Sequence, residues 1–183
     1  MGTSEPGQST TPVSSDSRPH RLLVDVIWRD RSWNDHVSEE TVARAARAAF
    51  AACAPHDHPS EVALLLCDDR EIRKLNRDWR GKDGPTNVLS FPLDTAPSGD
   101  ERRSLGDVAL AYGTVMGEAR DQGVPVEQHA THLVVHGVLH LMGYDHASED
   151  DAQEMEALET QILADLGYPD PYAPQAAVNG EER

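Results

Sequence analysis

Long apolar runs are missing from this sequence. No stretch of its 183 residues approaches the roughly 18 apolar residues that a membrane-spanning helix needs, so no membrane association is expected. The opening segment, MGTSEPGQSTTPVSSDSRPH, lacks the apolar centre of a secretory signal, and a cytoplasmic location is expected. Cysteine is nearly absent. Cys53 and Cys67 form neither a C-x-x-C pair nor a framework of bridges, which argues for two buried thiols in a reducing compartment. Positive charge is scarce: 16 Lys and Arg stand against 32 Asp and Glu, a net charge of −16. That balance argues against coating nucleic acid by charge alone, while leaving room for a local basic groove. Aromatic residues make up only 5%, so a core must come from aliphatic runs such as EVALLLC. The length suits one domain.

What is present falls into a readable order. Residues 1–19 are rich in Ser, Thr, Pro and Gly and are expected to be a disordered tail; residues 173–183 read as a second, flexible one. Between them, 20–172 is one candidate domain. Strands are expected at 22–28, 61–67, 87–92 and 106–112, the second central because it is almost continuously apolar, the third an edge because Pro92 ends it. Helices are expected at 38–54, 68–79, 113–123, 125–142 and 148–167. Ser38 and Ser148 suit N-cap positions, Val37 and Val42 a hydrophobic staple, Pro125 a first turn and Gly143 a left-handed stop. Loops fall at 81–86 and 95–104. This is an α+β pattern: one mixed sheet of about four strands with helices on its faces.

The segment HGVLHLMGYDH, residues 136–146, carries the chemistry. His136 and His140 are four apart on a helix, about 40° beyond one full turn, so both imidazoles share a face. Gly143 lets the chain reverse, and His146 can swing back to complete three nitrogen ligands. Three imidazoles with an open fourth position suit a catalytic Zn2+, which brings the pKa of bound water toward about 7. Nickel or copper would fit the same ligands. His129 and His132 lie upstream on the same face, either as supports or substrate contacts or as ordinary hydrogen-bonded helix histidines. Asp145 either orients a ligand imidazole or belongs to the turn.

The spacing H-x-x-x-H-x-x-G-x-x-H is that of metzincin proteases, which place a glutamate base directly after the first histidine. Here that position is Gly137. The cage is kept and the protease base is not, which directs attention to another substrate, a phosphodiester. Charge agrees. Between 70 and 82 lie Arg70, Arg73, Lys74, Arg77, Arg80 and Lys82 against Glu71 and Asp78, a local balance of +4. Arginine can clamp a phosphate through two parallel hydrogen bonds. Arg70, Arg73 and Arg77 read equally well as a solvated helix face. Arg80 and Lys82 sit by a glycine-rich loop, where a role on substrate is favoured.

Two segments together, LNRDWRGKDGPTNVLSFP (75–92) and HLVVHGVLHLMGYDH (132–146), resemble the signatures of the YbeY family; GDVALA (106–111) and EMEALETQILADLGYPDPY (154–172) look like it too. The resemblance covers residues 22–172 and leaves out both tails. It implies a zincin-like fold with five or six helices and a zinc-dependent, single-strand-specific endoribonuclease. It further implies 16S rRNA 3′ end maturation and ribosome quality control, with rRNA, the small ribosomal subunit and the Era GTPase as partners. Carried over by motif, His136, His140 and His146 are metal ligands and Arg80 acts on substrate phosphate; His136 and Arg80 are thus the catalytic candidates, and Arg80, with Lys82 from the basic strip, the substrate-binding ones. Trp79 stands where the family has tyrosine, and Gly84 where it has a second lysine.

Arg80 would then stabilise negative charge at phosphorus, and Lys82 would hold the backbone. No general base is visible, so water and the ribose 2′-OH both stand as nucleophiles. Three rival readings remain. A metalloprotease is disfavoured by Gly137, a small-molecule hydrolase leaves the basic strip unexplained, and a ribosome-assembly module would use the histidines only for structural zinc.

Overall fold

The computed structural model describes residues 22–53, 59–93 and 102–173. Four strands form one mixed sheet: β1 (Leu22–Trp28), β2 (Ser60–Cys67), β3 (Val88–Pro92) and β4 (Arg103–Ala111), in the order β1-β2-β4-β3. β1, β2 and β4 are parallel, and β3 runs antiparallel to β4 at an edge, where the missing N–H of Pro92 costs no ladder bond. The five α-helices are α1 (Glu39–Ala52), α2 (Asp69–Arg80), α3 (Tyr112–Gln122), α4 (Val126–Leu141) and α5 (Glu149–Leu166). A 3-10 turn over Arg31–Asp35, not expected from the sequence, buries Trp33 completely. The fold is thus α+β with the expected order of strands and helices. The tail expected at 1–19 lies outside the described residues, as does the tail at 173–183 except Ala173.

Local chemistry sets the element ends. Ser38 and Ser148 accept hydrogen bonds from Thr41 N and Asp151 N, as N-caps should. Val37 and Val42 are both buried in the main core. Asp69 accepts from the backbone N–H and the hydroxyl of Thr114, so a residue of α2 caps the first turn of α3, whose own N-cap residue is Ala111. Pro125 is the N-cap residue of α4 rather than a member of its first turn. Strand bounds differ from expectation by one residue at the starts of β2 and β3 and at the end of β4, and by three at the start of β4. β4 begins at Arg103, because Arg103 and Ser104 pair with Ser60 and Glu61 before the register shifts at Glu61/Val62, where Gly106 has φ 117°. A polar stretch read as loop therefore continues the strand through a bulge.

The sheet carries two cores. One face packs Val62, Leu64, Leu66, Val108 and Leu110 against α1, α4 and α5. On the other, Cys67, Ile72, Leu89, Ala109 and Ala111 form a smaller cluster under α2. Both thiols are free, and burial pushes Cys53 up to about 11 and Cys67 to about 12. Among the described residues, no helix is long and apolar enough to cross a membrane.

The contact that places α4 is at Gly137. A Cβ on this glycine would lie 2.5 Å from Val108 Cγ1 and 3.2 Å from Ser90 Oγ, and Ser90 Oγ donates to Gly137 O at 3.0 Å. Helix backbone meets sheet with no room for a side chain. Gly137→Ala is expected to destabilise the protein by about 1–3 kcal/mol through overpacking, despite alanine's better helix propensity. Urea unfolding measures this; a gain in stability would show that the approach is not tight.

Candidate metal and phosphate cleft

One helix and the turn that follows it bring the histidines together. His136 and His140 sit one turn apart on α4. After Met142, Gly143 takes φ 96°, Tyr144 N donates back to Leu139 O, and the chain reverses so that His146 faces the helix. The three rings close on one another with centroid separations of 4.5, 5.0 and 5.9 Å, and one ligand nitrogen from each lies within 4.8 Å of the others. The spacing argument is borne out in this convergence: the trio could hold a metal ion.

Their proton arrangement makes the case stronger. His136 Nδ1 donates to Glu159 Oε1 at 2.7 Å, and His140 Nδ1 donates to Tyr144 O at 2.9 Å. With Nδ1 committed on both rings, Nε2 is the atom each turns to the site, and these two nitrogens are 3.0 Å apart. Two nitrogens at that distance share either one proton or one metal ion between them. In a tetrahedral zinc site neighbouring nitrogens are about 3.3 Å apart. Burial, reinforced by His136, holds the His140 imidazole below its usual range, which keeps its nitrogen available as a ligand. The donor set therefore fits a divalent ion.

Glu159 is the functional residue that sequence reasoning missed. It is fully buried, and it accepts hydrogen bonds from His132 Nε2 at 2.7 Å, from His136 and from the Tyr172 hydroxyl. Burial alone would raise its pKa, but these three donors outweigh that and bring it down to about 2. A signal was available: Glu159 interrupts the apolar stripe of α5 between buried Met155 and Ile162, and a carboxylate there needs partners. His132 is thus a support for the histidine site. His129, also buried, pairs instead with Glu118, which accepts from Asn87 at the head of β3. Asp145 belongs to the turn, its Oδ1 accepting from His146 N.

The cations divide. Arg73 makes a two-point ion pair with Asp83, and Arg77 pairs with Asp78, so these two serve α2 and its loop. Asn76 Nδ2 donates to Gly84 O and pins the same loop. Arg80 Nη2 donates to Ser90 O on β3 at 2.9 Å. Arg80, Lys82, His136, His140 and His146 all line one cleft of about 580 Å³. Residues 56 positions apart in sequence, Arg80 and His136, thereby share a wall-to-wall cavity of ligand size.

Comparison with known proteins agrees. The profile of the family described as Endoribonuclease YbeY matches residues 28–167. A Bradyrhizobium diazoefficiens protein named Endoribonuclease YbeY is 49% identical over 162 residues, 86% of this chain and 88% of the relative. One of the same name from Rhodopseudomonas palustris is 45% identical over 179 residues, covering 96% and 92%. A solution structure of a Thermotoga maritima protein shares the fold, with a TM-score of 0.51 at 22% identity over 83% of this chain and all of that one.

The low pKa of Glu159 carries a stability consequence. A depressed carboxylate stabilises the folded state above its unfolded pKa and loses that contribution as pH falls through its folded value. Metal-free protein is expected to lose stability between about pH 4.5 and about pH 2, and Glu159→Gln to show a shallower fall across that window. Urea titrations at several pH values test it; parallel curves for the two proteins would contradict the account.

Proposed function

Because the chain belongs to the endoribonuclease YbeY family, we propose that it cuts single-stranded RNA, with the scissile phosphate between the three histidines and Arg80. The observation that carries this reading is the convergence, in one cleft, of a nitrogen ligand trio with an arginine and a lysine on an otherwise acidic chain. A phosphodiester is the substrate that needs both.

His136, His140 and His146 would hold one Zn2+, the metal best matched to three imidazoles. The chemistry such an ion supplies when bound is Lewis-acid polarisation and a bound water of lowered pKa. The rest falls to the chain. Glu159 fixes the tautomer and orientation of His136. Arg80 gives one N–H to Ser90 O, which aims its guanidinium, and its remaining donors stabilise the charge that builds on phosphate oxygens. Lys82, free of ion pairs among the described residues, holds the neighbouring backbone phosphate. Family membership supports the finer assignment: 16S rRNA 3′ end maturation and ribosome quality control in the cytoplasm, with the small ribosomal subunit and the Era GTPase as partners.

A protease reading loses further ground. The Cβ direction at Gly137 runs into Val108, so a glutamate base there would collide with the sheet. Arg80→Ala is expected to lower kcat on a fluorescent single-stranded RNA by about 10²–10³-fold, and His140→Ala or chelation to abolish cleavage. Undiminished cleavage by both variants would sink the assignment.

A further inference from the structure

The sheet has a second, different cleft. Strand alternation and register set its floor on the face away from α4. One row across the strands reads Asp25, Ala63, Asp107, Phe91, and the next reads Ile27, Leu65, Ala109, Leu89. Two alanines in the central strands keep the floor low, while Trp79 and Leu75 of α2 and Leu93 form walls, enclosing about 540 Å³. α2 covers only part of this face, and Trp79, on its last turn, is 74% exposed. Its ring meets Phe91 at 63° with centroids 6.1 Å apart, and the exposed part of the indole is free to stack.

This groove shares a rim with the histidine cleft. Arg80, Ser90 and Pro92 line both, so the thin edge strand β3 is all that separates them, and Arg80 is the cation on their common rim. A strand whose phosphate sits on Arg80 has its neighbouring base within reach of the groove. The lining is apolar apart from Arg80, Ser90 and the carboxylate of Asp107. An anionic group on the floor repels phosphate and accepts hydrogen bonds from amino groups. Partial burial raises the Asp107 pKa, as expected for a carboxylate in an apolar recess.

We propose that this groove is a nucleobase subsite. Trp79 stacks on a base adjacent to the phosphate held by Arg80, and Asp107 accepts a hydrogen bond from that base's exocyclic amino group. This rests on the RNA-cleaving reading of the histidine cleft. Stacking on an aromatic face is tolerant of base identity, while the carboxylate favours cytosine or adenine over uracil, which has no amino group. It also accounts for single-strand preference, since a paired base cannot enter.

Steady-state cleavage of fluorescently labelled oligo(rC), oligo(rA) and oligo(rU) by the zinc-loaded full chain tests the proposal. Trp79→Ala should raise KM about tenfold on all three with kcat little changed, and Trp79→Phe should retain most of the wild-type KM. Asp107→Asn should reduce the preference for oligo(rC) and oligo(rA) over oligo(rU). Arg80→Ala reads the parent assignment separately, through kcat. A KM for Trp79→Ala within twofold of wild type, beside a dead Arg80→Ala, overturns the base subsite and leaves the cleft reading standing. Self-association in sedimentation that Trp79→Ala abolishes would also overturn it, in favour of a second copy of the chain. Wild-type protein that cuts none of the three overturns both readings.

Discussion

One residue of an edge strand registers the two halves of the site. The Ser90 hydroxyl donates to the Gly137 carbonyl on α4, and the Ser90 carbonyl accepts from Arg80 at the end of α2. The ligand helix and the arginine come from opposite faces of the sheet, and β3 is where they meet. This works only because residue 137 has no side chain, so α4 can press its backbone onto Val108 and Ser90. A close helix–sheet contact of this kind is stiff, since packed interiors resist displacements of even a methyl group. It therefore fixes the distance between the histidine trio and the Arg80 guanidinium.

The second constraint is electrostatic. Burying Glu159 is expensive unless its lone pairs are satisfied, and the chain provides His132, His136 and Tyr172 to do so. In return the carboxylate holds His136 through Nδ1, so that Nε2 turns toward His140. The carbonyl of Tyr144 does the same for His140. The first lock depends on the docking of α5 and the second on the turn at Gly143. The net charge of −16 is compatible with an RNA substrate because Arg80 and Lys82 place positive charge in the cleft itself. Arg73 and Arg77 are taken up by Asp83 and Asp78, so the cleft presents Arg80 and Lys82 rather than a broad basic surface.

The same sheet thus shows two surfaces of different chemistry. On one side of β3 lie nitrogen ligands and cations suited to phosphate. On the other lie Trp79, Phe91 and the aliphatic floor, suited to the flat apolar face of a base. Nucleic acid strands carry both kinds of surface on every residue, which gives the edge position of β3 a functional sense beyond sheet termination.

The sequence by itself determined the strand and helix order, the caps at Ser38 and Ser148, the edge position of the Pro92 strand, and the histidine trio. These are local properties: period, cap chemistry and i, i+4 spacing act over one or two turns of chain. It also showed the loss of the protease base, because glycine leaves no ambiguity about what is missing. Tertiary structure alone decided what His129, His132, Asp145, Arg73 and Arg77 do, because each depends on a partner that packing brings near or on how the chain turns. Glu159, Tyr172 and Ser90 were silent in the pattern for the same reason, and the bulge at Gly106 hid three strand residues inside a polar run. Ligand spacing is written along one helix. The tautomers, the aim of Arg80 and the second cleft are written between elements, and only the folded sheet brings those elements into contact.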